Sequence, residues 1–209
     1  MDKINSYPEI LYSKYSQNLF DLVNQIKNIP NIPIELLSKN YIRIFTAESP
    51  FYRDINNDLR ENKIDIHLPY IKVLSGGVKK KSLSAYSPDK VYRGGRLLKS
   101  EIENIKNKIN LGQKIFFSKT FLSFVADYII AEKFSLRLNS NDEFVNVFFI
   151  LENNANLSND LLTYSNTDNV SYFPDEKEIL FFPFSSFEIK EIKKSEENKY
   201  EIRLLYLGK

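Results

Sequence analysis

Apolar residues change their spacing along this chain, and the change divides it in two. Ile10, Leu11, Leu19, Leu22, Val23 and Ile26 recur at near-helical intervals until Pro30 and Pro33 interrupt the run. Phe51, Tyr52, Ile55 and Leu59 predict a helix after Pro50, and Ile71 and Leu74 another that starts near Pro69 and stops at Gly76-Gly77. Beyond a Ser-, Lys- and Pro-containing stretch at 79–88, residues 90–93 read as a strand ending in a turn at Gly94-Gly95. Ser100 and Glu103 match a capping box for a helix whose stripe is Ile102, Ile105 and Ile109, closed by Gly112. A short strand is predicted at 114–117, and a helix at 124–138 with Val125, Ile129, Ile130 and Phe134 inward. The near-continuous apolar run 144–151 predicts a buried strand. The Asn-, Ser- and Asp-rich stretch 152–168 predicts a loop with at most a short ordered piece around Leu161. Strands then dominate at 179–182, at 187–192 with clean alternation, and at 200–207, the last two forming a hairpin around 195–198. The expectation is an α+β chain, with an N-terminal helical region at 1–88 and a β-rich core at 89–209 that together make one compact domain.

Composition narrows the chemistry more than the fold. The chain has 209 residues, 43% of them hydrophobic, which is ample for a core. Basic and acidic residues number 29 and 27 and are interspersed, so a net charge of +2 supplies no broad cationic field for nucleic acid. The tract Lys79-Lys80-Lys81 is short and reads as solvated. Cysteine is absent, which removes disulfides, thiol catalysis and thiolate metal sites together and fits a reducing cytosol. The N-terminus lacks a secretory pattern, and no segment approaches the apolar length of a membrane span, so a soluble, cytoplasmic chain is expected, acting in its own cell or in a host cell. The single histidine, His67, excludes a histidine-rich metal site, and no partner for it is evident nearby. Catalysis, where present, rests on carboxylates, hydroxyls, Arg, Lys or Tyr.

The carboxylates draw attention at Phe173-Pro174-Asp175-Glu176-Lys177-Glu178, where a polar loop gives way to an apolar strand. In an extended strand Glu176 and Glu178 would point to one side and present a pair suited to a cation. Asp-Glu-Lys-Glu also fits a solvated turn, Arg93 a surface ion pair, Ser123 a helix N-cap and Phe134 a core position. The order of these segments carries more than any one of them: an arginine ending a strand, a serine between a strand and a helix, and a Glu-x-Glu pair opening a late strand.

That order resembles the mono-ADP-ribosyltransferases of the Arg-Ser-Glu class, in particular the arginine-specific branch that includes vertebrate enzymes and bacterial toxins and effectors. Ile44-Phe45-Thr46-Ala47-Glu48-Ser49, Phe51-Tyr52, Asn56 and Leu59-Arg60 look like the family's N-terminal signature. Val91-Tyr92-Arg93-Gly94 looks like its first catalytic motif, and Phe121-Leu122-Ser123 with Ala131 and Phe134 like its second. The stretch from Val170 through Glu178 to Phe181, continuing to Phe187-Glu188-Ile189, is similar to the third. The usual Ser-Thr-Ser reads here as Ser123-Phe124-Val125, a departure that alters the hydrogen bonding around the site, and Ser118 stands second as motif serine.

The resemblance implies two small sheets forming an NAD-binding cleft under the helical part, with NAD as co-substrate and no metal. It implies a protein partner with an accessible arginine; from the charge balance no nucleic-acid partner is expected, and a monomer is expected although the sequence does not fix the oligomeric state. Glu178 would stabilise the oxocarbenium-like sugar and hold its hydroxyl, and Glu176 would orient and deprotonate the acceptor guanidinium. Arg93 would pair with the pyrophosphate or ribose, and Ser123 would join the ribose and Glu178 network. Gly94 and Gly95 would let the backbone approach the ligand, and Tyr92 and Phe134 would pack on nicotinamide. An NAD glycohydrolase, with water as acceptor, and a catalytically inactive NAD-binding or interaction module of the same fold remain open alternatives.

Overall fold

The computed structural model describes residues 34–47, 50–63, 65, 67–82, 89–136, 143–152, 164–166 and 170–208. The helix expected before Pro30, Glu48-Ser49, the stretch 83–88, the segment around Leu161 and the side chains of Lys79, Lys80 and Lys81 lie outside the described residues. Three helices come first: α1 (Ile34–Phe45), α2 (Pro50–Glu61) and α3 (Leu68–Ser82). Then follow β1 (Lys90–Leu98), α4 (Lys99–Asn110), β2 (Ile115–Phe117), β3 (Leu122–Val125), α5 (Tyr128–Leu136) and β4 (Phe144–Glu152). The remaining strands are β5 (Tyr164–Asn166), β6 (Glu178–Phe181), β7 (Ser186–Glu196) and β8 (Lys199–Gly208), with a 3-10 turn at Pro174–Glu176 before β6. This is the expected α+β architecture.

The described strands form one ladder in the order β2-β7-β8-β4-β1-β3-β6-β5. β4 and β8 run parallel and every other pair is antiparallel. The two sheets of the expectation are visible as its halves, because β1 and β3 are joined by the single pair Tyr92–Val125. β6 shows how the halves are packed. Its four residues are all buried, and alternation sends Ile179 and Phe181 into the core beneath α4, with Val147, Phe187 and Tyr206. Leu180 goes the other way, into the core of the helical layer with Tyr41, Phe51, Ile55 and Leu74. Glu178 shares the face of Leu180. A third, smaller cluster of Val125, Ala131 and Phe148 lies beneath α5. No helix among the described residues is long and apolar enough to cross a membrane.

Several boundaries differ from expectation for local reasons. α3 passes through Gly76-Gly77, because glycine lowers helix propensity without forbidding the helix when a face is buried, here through Tyr70, Ile71 and Leu74. β1 likewise runs through Gly94-Gly95 in full register with β4. α4 starts at Lys99, and Glu101 rather than Glu103 reaches back to accept the Leu98 amide at 2.8 Å. Gly112, at φ +80°, ends it as expected. The segment assigned to a helix from Phe124 begins as strand β3. Asp127 then caps α5, its Oδ1 accepting the Ile129 amide at 2.7 Å, and Ile129 faces solvent. α1 follows Pro33 directly, where the sequence pattern had marked only an interruption. His67 is buried against Asp58, its Nδ1 2.6 Å from Oδ2.

The two glycine sites make opposite predictions. A Cβ on Gly94 would collide with the Ala131 carbonyl oxygen and lie 2.5 Å from the Ser135 amide nitrogen, both backbone atoms of α5. Gly94→Ala is expected to cost about 1–3 kcal/mol in urea denaturation. Gly76 has open space around it, and Gly76→Ala is expected to stabilise by about 0.5–1 kcal/mol in the same measurement.

Candidate active site

The sheet forks at Tyr92–Val125, and the next residue of β1 closes the fork. Arg93 reaches across and its Nη1 donates to the Ser123 carbonyl of β3 at 2.7 Å. A guanidinium suits this position because it offers five donors at the end of a long stem and keeps its charge when enclosed. The side chain is partly open at the surface yet surrounded by protein, and this enclosure pushes its pKa below the ordinary value. Tyr52 of α2 and Glu178 of β6 act in the opposite direction, while Arg60 adds like-charge repulsion. One cation on β1 thus feels groups from the helical layer and from the other half of the sheet.

Glu178 opens β6 and is only 6% exposed. The ladder fixes its backbone opposite Val125, and its face is that of the helical layer. The Ser171 hydroxyl donates to Oε2 at 3.2 Å. Carboxylates this enclosed need such partners, since burial of a charge without hydrogen bonds is costly.

Glu176 has a different support from the one expected. It ends the 3-10 turn, its amide donating to the Phe173 carbonyl at 3.2 Å, and it is half-buried. Lys177 then takes φ +47°, the left-handed region that costs a non-glycine residue roughly 1–2 kcal/mol. Its carbonyl accepts the Ala126 amide at 3.3 Å, which holds the reversal in place. The two carboxylates are therefore not neighbours on one extended strand. Each has its own backbone frame, a turn for Glu176 and a ladder for Glu178.

Ser123 lies within β3, opposite Leu180, rather than at a helix start. Ser118 is structural: it is buried, its hydroxyl donates to the Thr120 carbonyl at 2.8 Å, and its amide donates to Ser185 at 3.0 Å. On β1, alternation turns Tyr92 and Gly94 toward α5 and Arg93 and Gly95 away from it. Tyr92 stacks on Phe148 at 5.9 Å and meets Tyr128 edge-on at 5.6 Å, while the missing Cβ of Gly94 admits the backbone of α5. Gly95 is open, with only the Phe149 ring at 3.9 Å from a built Cβ. Phe134 is half-buried on α5.

The structure adds two residues to the site. Ser171 carried a local signal: a serine whose hydroxyl accepts the amide two residues ahead, that of Phe173 at 3.1 Å, is a recognisable turn before Pro174. Thr46 carried none. Its hydroxyl accepts the Tyr172 amide at 2.8 Å and donates to the Arg43 carbonyl at 3.2 Å, across 126 residues of sequence. Arg43 also lies over the Tyr172 ring, 5.8 Å from its centroid.

No family model and no curated protein matches the chain. Its fold is that of ADP-ribosyltransferases. It is similar to the Vis toxin, an ADP-ribosyltransferase from Vibrio splendidus, at 17% identity, with 98% of this chain and 82% of that one covered and a TM-score of 0.61. It is similar to the ADP-ribosyltransferase HopU1 of Pseudomonas syringae at 21% identity, over 81% and 76% of the two chains, with a TM-score of 0.63. Exoenzyme S from Pseudomonas aeruginosa matches at 15% identity over 97% and 88%, with a TM-score of 0.62. Vis has been solved in complex with agmatine, and exoenzyme S bound to Carba-NAD with human 14-3-3 protein beta.

The Thr46 contact predicts a local effect. Thr46→Val is expected to cost about 1–2 kcal/mol and to speed hydrogen exchange at the Tyr172 amide while leaving the ladder amides of β6 protected. Exchange monitored at residue resolution checks this.

Proposed function

We propose that the chain transfers ADP-ribose from NAD to a protein arginine side chain and releases nicotinamide. The observation that carries this reading is the enclosed Glu178 within electrostatic reach of Arg93 at the fork of the sheet, with Glu176 held just ahead of it on a separate turn. Similarity to proteins solved with agmatine, a guanidinium compound, and with an NAD analogue supports the choice of both substrates.

In the proposed reaction the bond between the nicotinamide nitrogen and the ribose anomeric carbon breaks, and its electron pair leaves with nicotinamide. The sugar gains oxocarbenium character. Glu178, preorganised and shielded from water, stabilises that charge without reorganising at the moment of reaction. Arg93 meets the negative oxygens of NAD with the donors its bond to Ser123 leaves free. Gly95 leaves its backbone open to the nicotinamide amide. Ser123 contributes a carbonyl that holds Arg93, and its hydroxyl faces the side of Leu180, where the ribose is proposed to lie.

Transfer needs a second group. An arginine guanidinium is protonated in water and a poor nucleophile until a carboxylate orients it and takes a proton. Glu176 is proposed for that role: its nitrogen partner attacks the anomeric carbon, and the displaced proton passes to the carboxylate. Tyr92, packed between Phe148 and Tyr128, and Gly94, beneath α5, support the cleft from behind. Phe134 packs against the nicotinamide side in this reading.

The two carboxylates should separate in kinetics. Glu178→Gln is expected to lower nicotinamide release by about 100- to 1,000-fold with or without an acceptor, the loss typical of one preorganised electrostatic group. Glu176→Gln is expected to abolish transfer to arginine and leave NAD hydrolysis. Intact-mass analysis of arginine-bearing acceptor proteins, with nicotinamide measured in parallel, decides both. Nicotinamide release that never yields an acceptor adduct would make the chain an NAD glycohydrolase, and an inert parent chain would make it a binding module.

A further inference from the structure

We propose that Ser171 is a positioning residue: one hydroxyl aims the Glu178 carboxylate and ties it to the loop that carries Glu176. The proposal rests on the transferase reading above and names a group that reading does not use. Ser171 is 5% exposed. Its Oγ lies 3.2 Å from Glu178 Oε2 and 3.1 Å from the Phe173 amide nitrogen. The second contact settles the direction of the first. The amide can only donate, so it occupies a lone pair of Oγ and leaves the single hydroxyl proton for the carboxylate.

β3 supplies two neighbours on the sheet side of Glu178. Val125, its partner across the ladder, is apolar. The Ser123 hydroxyl, two residues along the same strand, makes no hydrogen bond among the described residues. Ser171 approaches from the loop instead, and that loop is anchored on its far side, where Tyr172 donates to Thr46. The chain from Ser171 to Glu178 therefore closes on itself: the hydroxyl at its start bonds to the carboxylate at its end, and the 3-10 turn with Glu176 lies between. Fixing the carboxylate rotamer serves the sugar cation, and fixing the loop serves the acceptor.

Loss of the hydroxyl should appear in turnover rather than in NAD affinity. Ser171→Ala is expected to lower kcat for nicotinamide release roughly tenfold or more, the range for a buried hydrogen bond to a charged group, with KM for NAD little changed. Ser171→Thr, which keeps the hydroxyl on the same carbon, is expected to retain most of kcat. On a Glu178→Ala background, Ser171→Ala is expected to add no further loss, because the two act as one unit. These rates would be measured on the full chain with NAD alone, alongside thermal melts. An active parent with Ser171→Ala at parental kcat, equal impairment of the Ala and Thr variants, or full additivity with Glu178→Ala overturns the proposal and leaves the transferase reading standing. A parent chain that releases no nicotinamide overturns that reading, and this proposal with it.

Discussion

A hydrogen bond from the Arg93 guanidinium to the Ser123 carbonyl reinforces the narrowest junction of the sheet. β1 and β3 share one ladder pair, so backbone hydrogen bonding alone joins the two halves weakly. An enclosed cation at that junction is a demanding choice. Removing a charge from water costs several kcal/mol unless partners compensate it, and taking away one partner leaves the charge exposed to that cost. Arg93 therefore draws the Ser123 carbonyl, Tyr52 and Glu178 toward one point, and three structural units become dependent on one another there. A fork closed by apolar side chains could hold the sheet together. It would offer nothing to an anionic ligand.

The cores set what lies on each side of β6. β6 is buried on both faces, and its alternation gives Ile179 and Phe181 to one core and Leu180 to the other. Glu178 falls on the helical side, at the rim of a tightly packed cluster of aromatic and aliphatic residues. Desolvation of the carboxylate is thus a by-product of ordinary packing. Gly94 completes the arrangement from behind, since only a missing side chain lets α5 lie against β1 so closely. The rigidity of the site comes from elements whose sequences look unremarkable one at a time.

Much of this was legible in the chain. The apolar run of β4, the alternation of β7 and the stripe of α4 each predict their element, because burial imposes a period that residues must follow. The order of Arg93, Ser123 and Glu178 was legible too, and in the fold Arg93 bonds to the Ser123 carbonyl and lies within electrostatic reach of Glu178. Four things were hidden for physical reasons. Leu122-Ser123-Phe124-Val125 is a short apolar run, and such runs fit a strand or a helix equally until a partner strand decides. Glycine pairs at 76–77 and 94–95 looked like stops, although the first lies within a helix with a buried face and, in the second, Gly94 answers a close contact rather than a turn. The left-handed Lys177 has no sequence mark, since lysine is not chosen for that conformation. Long-range contacts such as Thr46 with Tyr172 leave no trace in local pattern at all.

Lys177 also changes what the Glu-x-Glu pair means. Were both carboxylates on one strand, any shift in one would move the other, and in the proposed reaction the geometry for the sugar would be bound to that for the acceptor. With the reversal between them, Glu178 takes its position from the ladder with Val125, and Glu176 from a turn closed by Phe173. The loop ahead of Glu176 can then differ in shape while the carboxylate beside Arg93 keeps its place. The Ser171 hydroxyl links the Glu178 carboxylate to the loop ahead of Glu176. For the proposed reaction, a site built this way would separate two demands, a fixed charge for the sugar and an adaptable edge for the acceptor. The strain stored at one lysine is a modest cost for that independence.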